Sequence, residues 1–158
     1  MSRRGRGGAT PVAPPFTQEN IMNMRMLGGD ELARKWYLIV DKVEQSLFYG
    51  NGDLSSYDIF IECQQFICQC WIREDEWGTI HGVAITRVLS HKQYKEMVIV
   101  CTTSQGWFDH GPNVLEILEQ FGRDQGCKYS SVYGRKGWTR ALKPYGYEEP
   151  FAVVMKEL

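Results

Sequence analysis

Met97-Val98-Ile99-Val100-Cys101-Thr102 leads through Gln105-Gly106-Trp107-Phe108-Asp109-His110-Gly111-Pro112 into a stripe of Val114, Ile117, Leu118 and Phe121, and the fold turns on this stretch. The first run is apolar without alternation, which suits a strand buried on both faces. Pro112 suits the opening position of a helix. The four apolar residues after it fall at helical spacing on one side, and Gly126 is a natural C-cap. Cys127 to Tyr133 reads as a further short strand, so the stretch forms a β-α-β crossover.

Upstream, Asp30 can cap a helix whose Leu32, Trp36, Ile39, Val43 and Leu47 recur at spacings of four, three, four and four. Gly50-Asn51-Gly52-Asp53 stops it, and Ser55 or Ser56 can cap a second helix through Ile59 and Cys63. From Gln65 the period becomes two, with Phe66, Cys68, Cys70 and Ile72 alternating as in a strand. Thr79 to Leu89, rich in β-branched residues, is the next strand. Downstream, Trp138 to Lys143 reads as a short helix ended by Pro144, and Phe151 to Met155 as a closing strand. The predicted order is α-α-β-β-β-α-β-α-β. It implies an α/β (α+β) domain with a mixed, mainly antiparallel twisted sheet and helices on both faces.

Residues 1–29 differ from this body. Gly5, Gly7, Gly8, Pro11, Pro14, Pro15, Gly28 and Gly29 predict an extended arm. The body is then residues 30–158. Arg3, Arg4, Arg6 and Arg25 outnumber Glu19 by three in the arm, leaving −4 on the rest of a chain whose formal net charge is −1. A basic arm on an acidic body points to a partner contact through Arg3, Arg4, Arg6 and Phe16. A nucleic-acid footprint would instead place the basic face on the folded body.

Bulk properties agree with one globular domain. The chain has 158 residues, 43% hydrophobic and 23% charged. No apolar run is long enough to span a bilayer, and no apolar region follows Arg3-Arg4-Gly5-Arg6 as a signal peptide requires. Five cysteines, an odd number, fit reduced thiols and cytoplasmic synthesis rather than a disulfide framework. Cys68-Gln69-Cys70 puts two thiols on one strand face, yet no second ligand pair has zinc spacing, so buried thiols are the better reading and no metal is expected.

The ending is the most specific wording: Gly126-Cys127, then Gly134-Arg135-Lys136-Gly137-Trp138-Thr139-Arg140-Ala141-Leu142, then Tyr145-Gly146-Tyr147 and a terminal Lys156-Glu157-Leu158. With the element order, it resembles small GNAT-like (acyl-CoA N-acyltransferase superfamily) proteins encoded by tailed bacteriophages. The likeness runs from about residue 30 to the end. It implies the GNAT fold, with acetyl-CoA as the cofactor such a fold would take. Physically, Gly134 and Gly137 permit a tight strand-to-helix passage and Trp138 can plug the helix onto the sheet. Arg135 and Arg140 read as salt-bridging groups, or as facing an anionic ligand. Tyr145 and Tyr147 read as packing on the sheet edge.

The resemblance also says where acyl-CoA would bind. The backbone of Val100 and Thr102 would pair with the pantetheine arm. Gln105, Gly106 and Gly111 would surround the pyrophosphate at a helix N-terminus. The sequence departs from that pattern. Phe108 stands where the family has a glycine and His110 where it has a small residue, while Gly106 and Gly111 are out of register. Aligning Gly146-Tyr147 with the family's Gly-Phe puts Leu142 where the proton-donating tyrosine sits, with Tyr145 as the substitute if the helix shifts. Glu96 is the candidate general base; its other reading is a surface carboxylate at a strand end. A Cys101–His110 pair oriented by Asp109 is a further acyl-transfer arrangement, against which stands the inertness of a buried strand cysteine.

Three functions follow as expectations. The first is a phage accessory or virion-associated protein whose GNAT-like body, with a degraded acyl-CoA site, serves as a binding or structural module. It would be made in the host cytoplasm and incorporated in the virion, partnered through the arm to phage structural proteins or a host protein. The second is an active N-acetyltransferase moving acetyl from acetyl-CoA to an amine of a small molecule or host protein. The third is a small inhibitor that binds a host factor through an exposed sheet edge.

Overall fold

A computed structural model describes residues 24–48, 50, 52–103 and 113–158. Its elements are β1 (Met24–Leu27), α1 (Gly29–Leu47), α2 (Ser56–Gln64), β2 (Cys68–Glu74), β3 (Ile80–Ser90), β4 (Lys95–Thr102), α3 (Asn113–Asp124), β5 (Tyr129–Val132) and α4 (Gly137–Leu142), with a 3₁₀ turn at Lys143–Tyr145. The five strands form one sheet in sequence order. All neighbours are antiparallel except β4 and β5, which are parallel across the α3 crossover.

Two helix pairs cover the two faces. Leu32, Ile39 and Val43 of α1 and Ile59 and Cys63 of α2 pack on Cys68, Cys70, Ile72, Val83, Ile85 and Cys101. Val114, Leu115 and Leu118 of α3 and Leu142 of α4 pack on Trp71, Ala84, Met97 and Ile99 from the other side. The continuous apolar run of β4 is explained by this sandwich, since Met97, Val98 and Ile99 are all buried. α3 approaches β4 closely: a Cβ on Gly122 would lie 3.3 Å from that of Met97.

Local signals act largely as the sequence implies. Ser55 caps α2 in a capping box with Asp58, each side chain bonding the other's backbone N–H. Gly126 closes α3 in the left-handed region at φ +78°, with the Cys127 N–H reaching back to the Gly122 carbonyl at 2.9 Å. Asp30 is not a cap. The N-cap is Gly28, and Asp30 sits in the first helical turn, where its charge suits the helix dipole.

Three further expectations change. Met24–Leu27, read as the end of the arm, is a strand paired with β2 from Met24↔Arg73 to Leu27↔Cys70. Arg25 fixes it, donating to Glu31 at 2.9 Å and Glu74 at 3.0 Å, while Lys35 also reaches Glu74. Phe66, read as the first strand residue, instead takes φ +59° in the turn after α2, where the Ile67 N–H bonds the Glu62 carbonyl. Phe151–Met155 forms no strand, and its side chains stand in solvent. Residues 1–23, with Arg3, Arg4, Arg6 and Phe16, lie outside the described residues.

Candidate functional site

The site begins with an irregularity in β4. Ile85 pairs with Cys101 and Thr86 with Ile99, so Val100 is an extra residue bulged out of the β3–β4 ladder. The bulge reverses the side-chain alternation: Ile99 points to the α3/α4 face and Cys101 to the α1/α2 face. On its other side β4 pairs with β5 only from Glu96↔Tyr129 to Ile99↔Val132. Beyond that point β4 continues to Thr102 while the chain after Val132 turns toward α4. The two strands therefore part just where Val100 bulges.

Among the described residues, little free space is left between them. Ile99 and Thr102 of β4, Val132 of β5, Val114, Leu115 and Leu118 of α3, and Trp138 and Leu142 of α4 enclose a cavity of about 10 Å³. That is room for about one water. Thr102, a sequence candidate for the pantetheine arm, is among the lining residues, and its carbonyl accepts a hydrogen bond from Ser46 of α1 at 2.9 Å. Val100 is half-buried against the α1/α2 core. Gln105, Gly106, Phe108, His110 and Gly111 lie outside the described residues.

Trp138 enters the wedge because Gly134 lets it, since a Cβ there would come within 2.6 Å of the indole. Gly137 has no such neighbour. Leu142, which the family resemblance aligns with a proton-donating tyrosine, is 2% exposed and lines the cavity. The position is thus directed at the wedge, but it carries no proton to give. Tyr145 is the other residue that the sequence offers for this role. It sits on the 3₁₀ turn, packed against the α3/α4 core and not among the cavity-lining residues. Tyr147, nearby, bonds Ser130 at 2.8 Å and donates to Glu119 at 3.0 Å, which ties the ending to β5 and α3.

Glu96 is neither a surface carboxylate nor a wedge residue. Alternation with Met97 puts it on the sheet face opposite α3, and it is only 6% exposed. His91 Nε2 meets its Oε2 at 2.6 Å and the Tyr133 hydroxyl donates to Oε1 at 3.1 Å. Burial alone would push its carboxyl up, yet hydrogen bonds from Ser131, His91 and Tyr133 hold it below the usual carboxylate range. Burial, and then the Glu96 charge, raise Tyr133 in turn. Tyr94 and Tyr129 extend the cluster, their rings 5.0 Å apart and edge to face.

Tyr133 is the residue that sequence reading missed. Its signal is the period of two through Tyr129, Ser131 and Tyr133, which brings all three to the Glu96 face. The cysteines behave as core. Burial raises Cys68 to about 11 and Cys70 and Cys101 to about 12. Among the described residues no group of three or more His, Cys, Asp or Glu side chains is placed to hold a metal. None of the described helices is long and apolar enough to cross a membrane.

No protein-family model matches the chain, and no curated protein matches it in sequence. Solved structures do match it in shape. The ribosomal-protein-alanine N-acetyltransferase from Brucella melitensis biovar Abortus 2308 superposes with a TM-score of 0.62 at 6% identity, over 85% of this chain and 99% of that one. The aminoglycoside acetyltransferase meta-AAC0020 from an uncultured soil metagenomic sample, in complex with sisomicin, gives 0.62 at 17% identity over 85% and 95%. A GNAT family acetyltransferase from Staphylococcus aureus subsp. aureus USA300_TCH1516 gives 0.59 at 15% identity over 85% and 97%. At such identities the likeness is one of fold, and the mixed five-stranded sheet with its helix-covered faces is the GNAT fold.

Proposed function

We propose that this chain is a binding module built on the GNAT fold, in which the wedge between β4 and β5 no longer serves acyl transfer. The observation that carries this reading is Leu142, buried in the wedge where the resemblance puts a proton donor. Three features support it. Tyr145 packs outside the cavity, Glu96 is hydrogen-bonded into a lowered carboxyl, and the cavity holds about 10 Å³. Fold by itself does not guarantee chemistry. The assignment to a tailed bacteriophage, as an accessory or virion-associated protein, rests on the wording of residues 126–158. The contact to a phage structural protein or a host protein is assigned to Arg3, Arg4, Arg6 and Phe16.

The second reading is an active N-acetyltransferase, and the bulge at Val100 with the parted strands favours it. The acidic body would attract a cationic amine. Release of free CoA thiol from acetyl-CoA in the presence of primary amines separates the two. The module reading expects release at the protein-free rate. Release proportional to protein concentration would establish the second reading.

A further inference from the structure

The turn before β4 and the start of β5 meet at the entry end of β4, the end away from the bulge at Val100. The His91 N–H donates to the Tyr94 carbonyl at 2.8 Å and closes the β3–β4 turn, while the Lys128 N–H donates to the Lys95 carbonyl at 2.8 Å. Glu96↔Tyr129 then begins the parallel pairing with β5. This arrangement sets Lys92, Lys95 and Lys128 in solvent around one group of rings. Tyr94 and Tyr129 stand edge to face at 5.0 Å, and the His91 ring lies 4.7 Å from Tyr94. Tyr94 is 38% exposed, Tyr129 48% and Tyr133 55%. Lys128 Nζ lies 5.3 Å from the Tyr129 ring centre.

These rings are held from below. Glu96, buried at 6% exposure, meets His91 through one oxygen and accepts from the Tyr133 hydroxyl through the other. Its charge is directed at those two side chains, whereas the three ammonium groups face solvent. Residues 90–95 and 125–131 carry Lys92, Lys95 and Lys128 and no Asp or Glu, so this end is locally basic on an acidic body. We propose that it binds single-stranded nucleic acid, with bases stacking on Tyr94, Tyr129 and Tyr133 and phosphates pairing with the three lysines. Rings interleaved with cations suit an unpaired strand, because every base offers a π face and every nucleotide a phosphate. A cationic ligand would suit the rings but meet three lysines. An acidic peptide would suit the lysines and leave the rings unused, and a duplex keeps its bases stacked inside. The basic face lies on the folded body itself, as a nucleic-acid footprint requires.

Fluorescence anisotropy of the full chain with a labelled single strand of about 12 nucleotides, within the usual site size, tests this. Binding should weaken about 20-fold between about 50 and 200 mM salt, as three neutralised phosphates require. Tyr94→Leu and Tyr129→Leu should each weaken it by at least about fivefold, the lower end for losing one stacked base. Lys92→Ala, Lys95→Ala and Lys128→Ala together should remove most of the salt dependence, and Arg3→Ala, Arg4→Ala and Arg6→Ala together should leave the affinity unchanged. Melting temperatures check that the variants are folded. No binding at about 100 micromolar protein, the weak limit of non-specific contact, overturns the proposal. So does an affinity that ignores the tyrosine changes or is lost with the arm arginines instead. Two readouts need no variant: a duplex or an oligoglutamate that competes as well as the unlabelled single strand also overturns it. Neither the wedge nor acyl-CoA takes part, so the outcome is separate from that of the module reading.

Discussion

Gly134 lies against the indole of Trp138 so closely that a Cβ on the glycine would stand 2.6 Å from Cδ1 and 2.8 Å from Nε1. The bare backbone at 134 is therefore what lets Trp138 seal the wedge between β4 and β5. Gly134→Ala should destabilise the protein by about 1–3 kcal/mol, the usual cost of forcing volume into a packed site. In a Trp138→Ala background the same change should be close to neutral. Chemical denaturation of the four proteins in this cycle checks it, because the two effects must be non-additive if they share one contact.

The described part of the chain opens with β1 at Met24, whose residues pack into the body. Deleting residues 1–23 should leave the melting temperature within a degree or two of the full chain. Deleting 1–27 removes the buried Met24 and Leu27 together with Arg25, whose partners lie on α1 and β2. Losing two buried side chains at about 1.5–3 kcal/mol each should lower stability by about 3–6 kcal/mol. Thermal melts of both truncations decide this.

Much of this fold was legible from periodicity alone. The helix through Leu32 and Leu47, the unbroken apolar run of β4 and the stripe of α3 each encode their burial locally. β1 was not legible, because four residues after a Gly- and Pro-bearing stretch carry no period; what makes them a strand is pairing with β2 and an Arg25–Glu74 bond across 49 residues. The closing strand was over-read for the converse reason. Alternating apolar residues describe what a segment can do on an edge, not whether its own chain offers it one. In the site, Leu142 was identified in sequence, whereas the Tyr133–Glu96 bond spans 37 residues and has only the β5 alternation to announce it.

Glu96 should stabilise the protein in a pH-dependent way. Its folded carboxyl titrates below the usual 4.5, so the charged form is favoured by folding. That contribution is present above about pH 4.5 and fades as pH falls through the lower folded value. Glu96→Gln should cost about 1–3 kcal/mol at pH 7, as expected for a buried charged acceptor. The gap to wild type should narrow toward pH 3. Urea denaturation of both proteins at pH 7 and pH 3.5 measures it, and a gap of equal size at both would contradict the assignment.

The thiols offer a check on packing. Cys63, Cys68, Cys70 and Cys101 are buried and shifted upward by that burial, and Cys127 alone is partly exposed. A disulfide exchange reagent at pH 8 should modify at most one thiol rapidly in the native protein and all five after unfolding in guanidinium.

The central claim is that the wedge has ceased to be an acyl-CoA site, and thermal melting of the full chain with 1 mM acetyl-CoA tests it most directly. A ligand present at about a hundred times its dissociation constant would add about 2.7 kcal/mol, or roughly 2–8 °C for domains of this general size. The account predicts a melting temperature unchanged by acetyl-CoA; a saturable rise of several degrees would contradict it.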